Sequence, residues 1–149
     1  MVRLLLFLGL TLATSVAAAE VRINKVLPHL LDSKGRVALS PSLYERDAYQ
    51  AHLRQHLAEV SGMRFDVNWK APLKGTNNVT MRIELRMAHR PDGTPLVLET
   101  PVRSPRWGSR WTAVTFDGDS FRREGPVIAW RVTLWQAGQE RAVKQSFLW

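Results

Sequence analysis

Between Val79 and Met87 the chain reads V-T-M-R-I-E-L-R-M, and no other stretch constrains the fold as tightly. Val79, Met81, Ile83, Leu85 and Met87 alternate with Thr80, Arg82, Glu84 and Arg86. A period of two sends the apolar set to one face of a strand and the polar set to the other. An antiparallel sheet with one face in a core and one in water produces that pattern. Register is pinned too, because a slip of one residue would turn all five apolar side chains to solvent. The chain must therefore supply a second layer to cover this face.

The first residues stand apart from the fold. Residues 1–19 hold one positive charge (Arg3), an apolar run and an Ala17-Ala18-Ala19 end, the parts of a secretory signal peptide. The run is short for a bilayer span, and no lipidation Cys follows it. The expectation is an exported bacterial protein, periplasmic or extracellular, with no membrane span after cleavage. Residues 20–149 form one domain. The full chain carries +8 and the leader contributes only Arg3, so the remainder carries +7. For an exported protein that charge points to envelope proteins or anionic polysaccharides rather than nucleic acid. Without any Cys, apolar burial alone must hold the domain together.

Several further stretches alternate. Val21 and Ile23 open the domain, and Pro28 makes this a first or edge strand. Leu30-Leu31, Asp32-Ser33-Lys34-Gly35 and Val37-Ala38-Leu39 read as a turn between short extended pieces. Ser42-Leu43-Tyr44-Glu45 fits a capping box. Tyr49, Leu53, Leu57 and Val60 form a stripe that predicts a helix over 43–60 closed by Gly62, with Gln50 and Arg54 on its wet side. Phe65, Val67 and Trp69 then alternate, followed by the central strand and a strand over 96–102, an edge because of Pro101. The strand over 111–116 has no clear inward set. Asp117-Gly118-Asp119 begins a loop. Ile128, Trp130, Val132 and Leu134 form one inward set, and Val143, Phe147 and Trp149 another.

Seven short, evenly spaced strands with turn residues between them imply a mainly β, two-sheet sandwich with one helix inserted between the first and second strands. The order resembles an immunoglobulin-like sandwich of the fibronectin type III kind, with Trp69 on the second strand resembling the core Trp of fibronectin modules. The resemblance implies that the third and sixth strands are neighbours. The immunoglobulin Cys pair and the tyrosine corner are absent, and a fold of this kind implies no single activity.

No catalytic constellation is legible: there is no G-x-S-x-G, no Ser-x-x-Lys set, and no carboxylate pair spaced across a cleft. Glu84 between Arg82 and Arg86 is a paired carboxylate, not a general acid. His52 and His56, with Glu59 as the nearest third ligand, are the sole metal-like spacing, and Asp117, Asp119 and Glu124 read as turn formers. Asn78-Val79-Thr80 matches a glycosylation acceptor by chance. No catalytic residue, metal or cofactor is expected. What remains is Trp beside Arg, the pairing that dominates binding hot spots. Arg82, Arg86, Arg131 and Trp135 share a solvent face of neighbouring strands, and Trp107 and Trp111 bracket an Arg-rich loop. The reading is a non-enzymatic binding or accessory module engaging an envelope protein, with carbohydrate binding through Trp107, Trp111 and Trp135 as the alternative.

Overall fold

A computed structural model describes residues 20–71, 79–90, 92–105 and 108–149. The leader, Asn78 and Trp107 lie outside the described residues. Seven strands build two antiparallel sheets: β1 (Arg22–Asp32), β2 (Val60–Lys70), β3 (Val79–Met87), β4 (Leu96–Val102), β5 (Arg110–Asp117), β6 (Val127–Gln136) and β7 (Gln139–Gln145). One sheet runs β1-β2-β5 and the other β4-β3-β6-β7. With β4 beside β3 rather than in the three-stranded sheet, the order departs from the constant-type immunoglobulin pattern and matches the fibronectin-like one. Helix α1 (Leu43–Gln55) lies between β1 and β2, and a shorter helix, α2 (Gly118–Glu124), lies between β5 and β6. No described helix is long and apolar enough to cross a membrane.

The alternation in β3 does what its period requires. Met81, Ile83 and Leu85 are wholly buried and meet Phe65, Val67 and Trp69 of β2 and Val132 and Leu134 of β6 in one core. Trp69 is buried with its Nε1–H donating to Thr112 Oγ1 at 2.9 Å, so its polar end has a partner. That bond also identifies the inward set of β5: Thr112 with the half-buried Val114 and the buried Phe116.

Four expectations are corrected. β1 is the expected first and edge strand, but Pro28 does not separate it from the Leu30-Leu31 piece, and it runs on to Asp32, where the turn begins. Ile128 is exposed, not inward, because a bulge opposite Arg86 and Met87 makes it the extra residue and lets Val127 take the core side. Val143 stands opposite Thr133 on the outer face, and Phe147 lies past the end of β7, fully in water. Gly62 does not close a helix. It sits inside β2 against Asp117, where an added Cβ would come within 2.5 Å of the Asp117 Cβ.

The inserted helix is also shorter than its stripe suggests. Ser42 caps it by accepting from Glu45 N at 3.4 Å, while the Glu45 carboxylate turns to Ser40 Oγ instead of completing the box. It ends at Gln55, a 3₁₀ turn covers Leu57–Glu59, and Val60 already belongs to β2. Leu53 is fully buried, but Leu57 is 57% exposed. The buried polar residue is Gln50, expected in water. Its Oε1 accepts from Leu30 N at 2.8 Å, and its Nε2 donates to Leu30 O at 2.9 Å and to Val37 O at 2.8 Å. An edge strand offers backbone groups that need partners, so the side of α1 that docks there must be partly polar. Asp32 completes the attachment by accepting from Tyr49 Oη, Lys34 N, Arg36 N and Arg36 Nε. Burial pushes the Asp32 carboxyl up, but these donors outweigh it and hold the group far below the usual carboxylate range.

Candidate functional site

The expected Arg–Trp face does assemble on the outer side of the four-stranded sheet. Pairing of β3 with β6 sets Thr80 opposite Trp135, Arg82 opposite Thr133, Glu84 opposite Arg131 and Arg86 opposite Ala129. The Arg82 guanidinium lies 4.7 Å from the centre of the Trp135 ring while its Nε donates to Glu99 Oε1 at 2.6 Å. Trp135 Nε1–H donates to Thr133 Oγ1 at 2.8 Å. Arg131 bonds Glu140 at 3.0 Å and approaches Glu84 at 3.8 Å. Arg86 lies 4.7 Å from the ring centre of Trp149, which is therefore on this face and not in the core. Beneath the layer, Thr133 and Ala129 are each 1% exposed. Three cations and three carboxylates balance within the patch, and each aromatic ring has its cation.

The other tryptophans do not join it. Trp111 is half exposed opposite Asn68, on the outer face of the three-stranded sheet. Trp111 and Trp135 thus stand on opposite sides of the sandwich and form no common platform. Trp130 is core-facing and meets Phe65 edge to face at 6.3 Å.

A second site was invisible in the sequence. A groove of about 700 Å³ opens where α1 and the 3₁₀ turn approach α2 at one end of the sandwich. Pro28, Leu30 and Met63 from the three-stranded sheet, Leu57 from the 3₁₀ turn, Phe121 from α2 and Val127 from β6 supply apolar walls. Polar atoms come from Gln50, Arg54, His89 and Arg122. Gln50 is consumed by β1, and Arg122 is paired with Asp119. The Arg54 guanidinium makes no hydrogen bond or ion pair with any described residue. His89 closes the far wall, and Gly125 makes room for it: at φ 79° its missing Cβ would stand 2.6 Å from the imidazole. The turn that carries His89 is tied to α2 by His89 N donating to Glu124 O and by Arg90 Nε bonding Glu124 Oε2 at 2.8 Å. No local pattern reveals this convergence, because its walls come from four separated stretches.

His52, His56 and Glu59 bring ligand atoms within 4.8 Å of one another. The two imidazoles stack at 4.1 Å with 20° between planes, and His52 Nε2 bonds Glu59 Oε2 at 3.0 Å. Imidazoles that share an ion aim their nitrogens at it in the ring plane, so stacked rings are not a formed metal centre. Asp117, Asp119 and Glu124 do not gather either: Asp119 pairs with Arg122 and Glu124 with Arg90.

No protein-family model matches the chain, and no curated protein matches its sequence. Among solved structures it is similar to a protein from Akkermansia muciniphila at 17% identity and a TM-score of 0.53, over 86% of this chain and 70% of that one. It is also similar to an immunoglobulin-like protein from Pseudomonas aeruginosa at 17% identity and a TM-score of 0.42, over 87% of this chain and 96% of that one. Likeness at that level of identity concerns the fold alone.

Proposed function

We propose that the protein is an exported, non-enzymatic binding module of the bacterial cell envelope that engages a protein partner through the groove between α1 and α2. One observation carries this reading: both helices added to the seven-strand sandwich supply walls to the same apolar groove. Function on such folds resides in what is grafted onto them. The groove has the size and apolar lining of a ligand site, and it gathers no nucleophile–base or carboxylate pair that would do chemistry. The leader-like residues 1–19 support export.

Leu57→Asp tests the site, since Leu57 is more than half exposed and its loss leaves the core intact. Residues 20–149, immobilised and exposed to envelope extract, retain a partner that Leu57→Asp loses and Trp135→Ala keeps. Equal retention by all three proteins refutes the groove as the site. The carbohydrate alternative has less support, because the described pair Trp111 and Trp135 cannot meet one sugar chain face. A polysaccharide that quenches Trp fluorescence in the parent and not in Trp111→Ala would revive it.

A further inference from the structure

We infer that the groove's occupant is an apolar polypeptide segment that presents a carboxylate to Arg54, an inference that rests on the groove reading above. The guanidiniums of the outer sheet face and of the groove rim are mostly neutralised locally, although Lys25, Lys70, Arg103 and Arg110 elsewhere on the protein have no carboxylate partner among the described residues. Arg82 has Glu99, Arg131 has Glu84 and Glu140, Arg90 has Glu124, Arg122 has Asp119, Arg36 has Asp32 and Arg64 has Asp66. Arg54 lines the apolar groove and has no such partner among the described residues. An unpaired guanidinium at the rim of apolar walls suits an anion, because its fork of donors meets a carboxylate bidentately. Leu57 also lines the groove, and at 57% exposure it extends the apolar wall to the rim. The occupant therefore carries both features, an apolar body for Leu57, Met63 and Phe121 and one negative charge for Arg54.

The openness of the wall decides between a small acid and a segment of a larger molecule. Small-molecule sites bury about 70–90% of their ligand. Here both Arg54 and Leu57 face water, so an occupant keeps one side outside the groove, as a stretch of a larger chain does. The net charge of +7 on residues 20–149 steers acidic partners to the protein at low salt.

Two probes with one skeleton separate charge from apolar fit: 8-anilinonaphthalene-1-sulfonate, which is anionic, and N-phenyl-1-naphthylamine, which is neutral. The parent domain binds the anionic probe about tenfold tighter than the neutral one, equivalent to about 1.4 kcal/mol, the scale of a single charge-assisted contact. Arg54→Gln removes that difference and leaves the neutral probe unchanged. Leu57→Asp weakens both. If Arg54→Gln leaves the anionic probe as tight as before while Leu57→Asp weakens both probes, the carboxylate assignment is wrong and the groove stands. If Leu57→Asp changes neither, the groove itself is wrong. A small organic acid released in stoichiometric amount from protein purified out of its own envelope overturns the polypeptide assignment. Release of none, with the retained partner lost by Arg54→Gln, supports it.

Discussion

The outer face of the four-stranded sheet and the groove between the helices are both lined by arginine and apolar side chains, yet they differ in how much is left undone. On the sheet face each guanidinium has a carboxylate or a tryptophan ring, and the polar end of Trp135 is satisfied by Thr133. What is left over there is Arg131 Nε, buried without a hydrogen bond, and the half-exposed Val97 and Val143. In the groove an arginine is unpaired and a leucine is uncovered. A surface rich in hot-spot residues is therefore not yet a binding surface. When those residues satisfy one another, they stiffen the protein, and a ligand must first break what it wishes to use.

The largest test of that contrast is Leu53→Ala. Leu53 is fully buried where α1 meets the body of the protein, and its truncation costs about 3–4 kcal/mol. Urea unfolding gives the loss, and probe binding to the surviving folded fraction weakens with it, because the helix is a groove wall. A lost midpoint with unchanged probe affinity would separate the wall from the site.

Next comes Trp135→Ala. It uncovers Thr133 and leaves Arg82 without its ring, for a cost of about 1–2 kcal/mol, with no effect on groove binding. A cost near zero would mean that the layer is ornamental, and a loss of partner would move the site to the sheet face.

The smallest expected effect is a pH slope. His29 is buried on β1, and burial pulls its imidazole below the ordinary value more than nearby Asp66 raises it, with Arg46 and Arg64 also lowering it. The unfolded chain thus takes up the proton first as pH falls through about 6.5, so stability drops on acidification and is flat above. His29→Gln flattens that segment of the stability curve. It leaves untouched the later loss below about pH 4, which comes from protonating Asp32. An unaltered slope in the variant would assign the effect elsewhere.

The sandwich was legible because β2 and β3 carry their own evidence: six wholly buried side chains recur every second residue in Phe65, Val67, Trp69 and Met81, Ile83, Leu85. Neighbouring of the third and sixth strands, and with it the Arg–Trp face, followed from the order alone. Periodicity failed wherever a residue's neighbour is distant in sequence. The bulge that expels Ile128 is set by β3, and the burial of Gln50 is set by the edge of β1. Gly62 looked like a helix end because Asp117, the residue it must avoid, lies 55 positions later. The groove is the extreme case, since Arg54 and Phe121 acquire meaning only when two helices meet.

The bond from Gln50 to β1 has a consequence for the protein among its own copies. At Leu30 the amide of Gln50 occupies the N–H and C=O that a further strand would use, so α1 shields that stretch of the edge. A chain at high concentration in a crowded compartment would otherwise offer a ready template there for strand addition and the growth of insoluble fibres. Pro28 on the same strand withholds a donor two residues earlier. The inserted helix is thus also a guard on solubility.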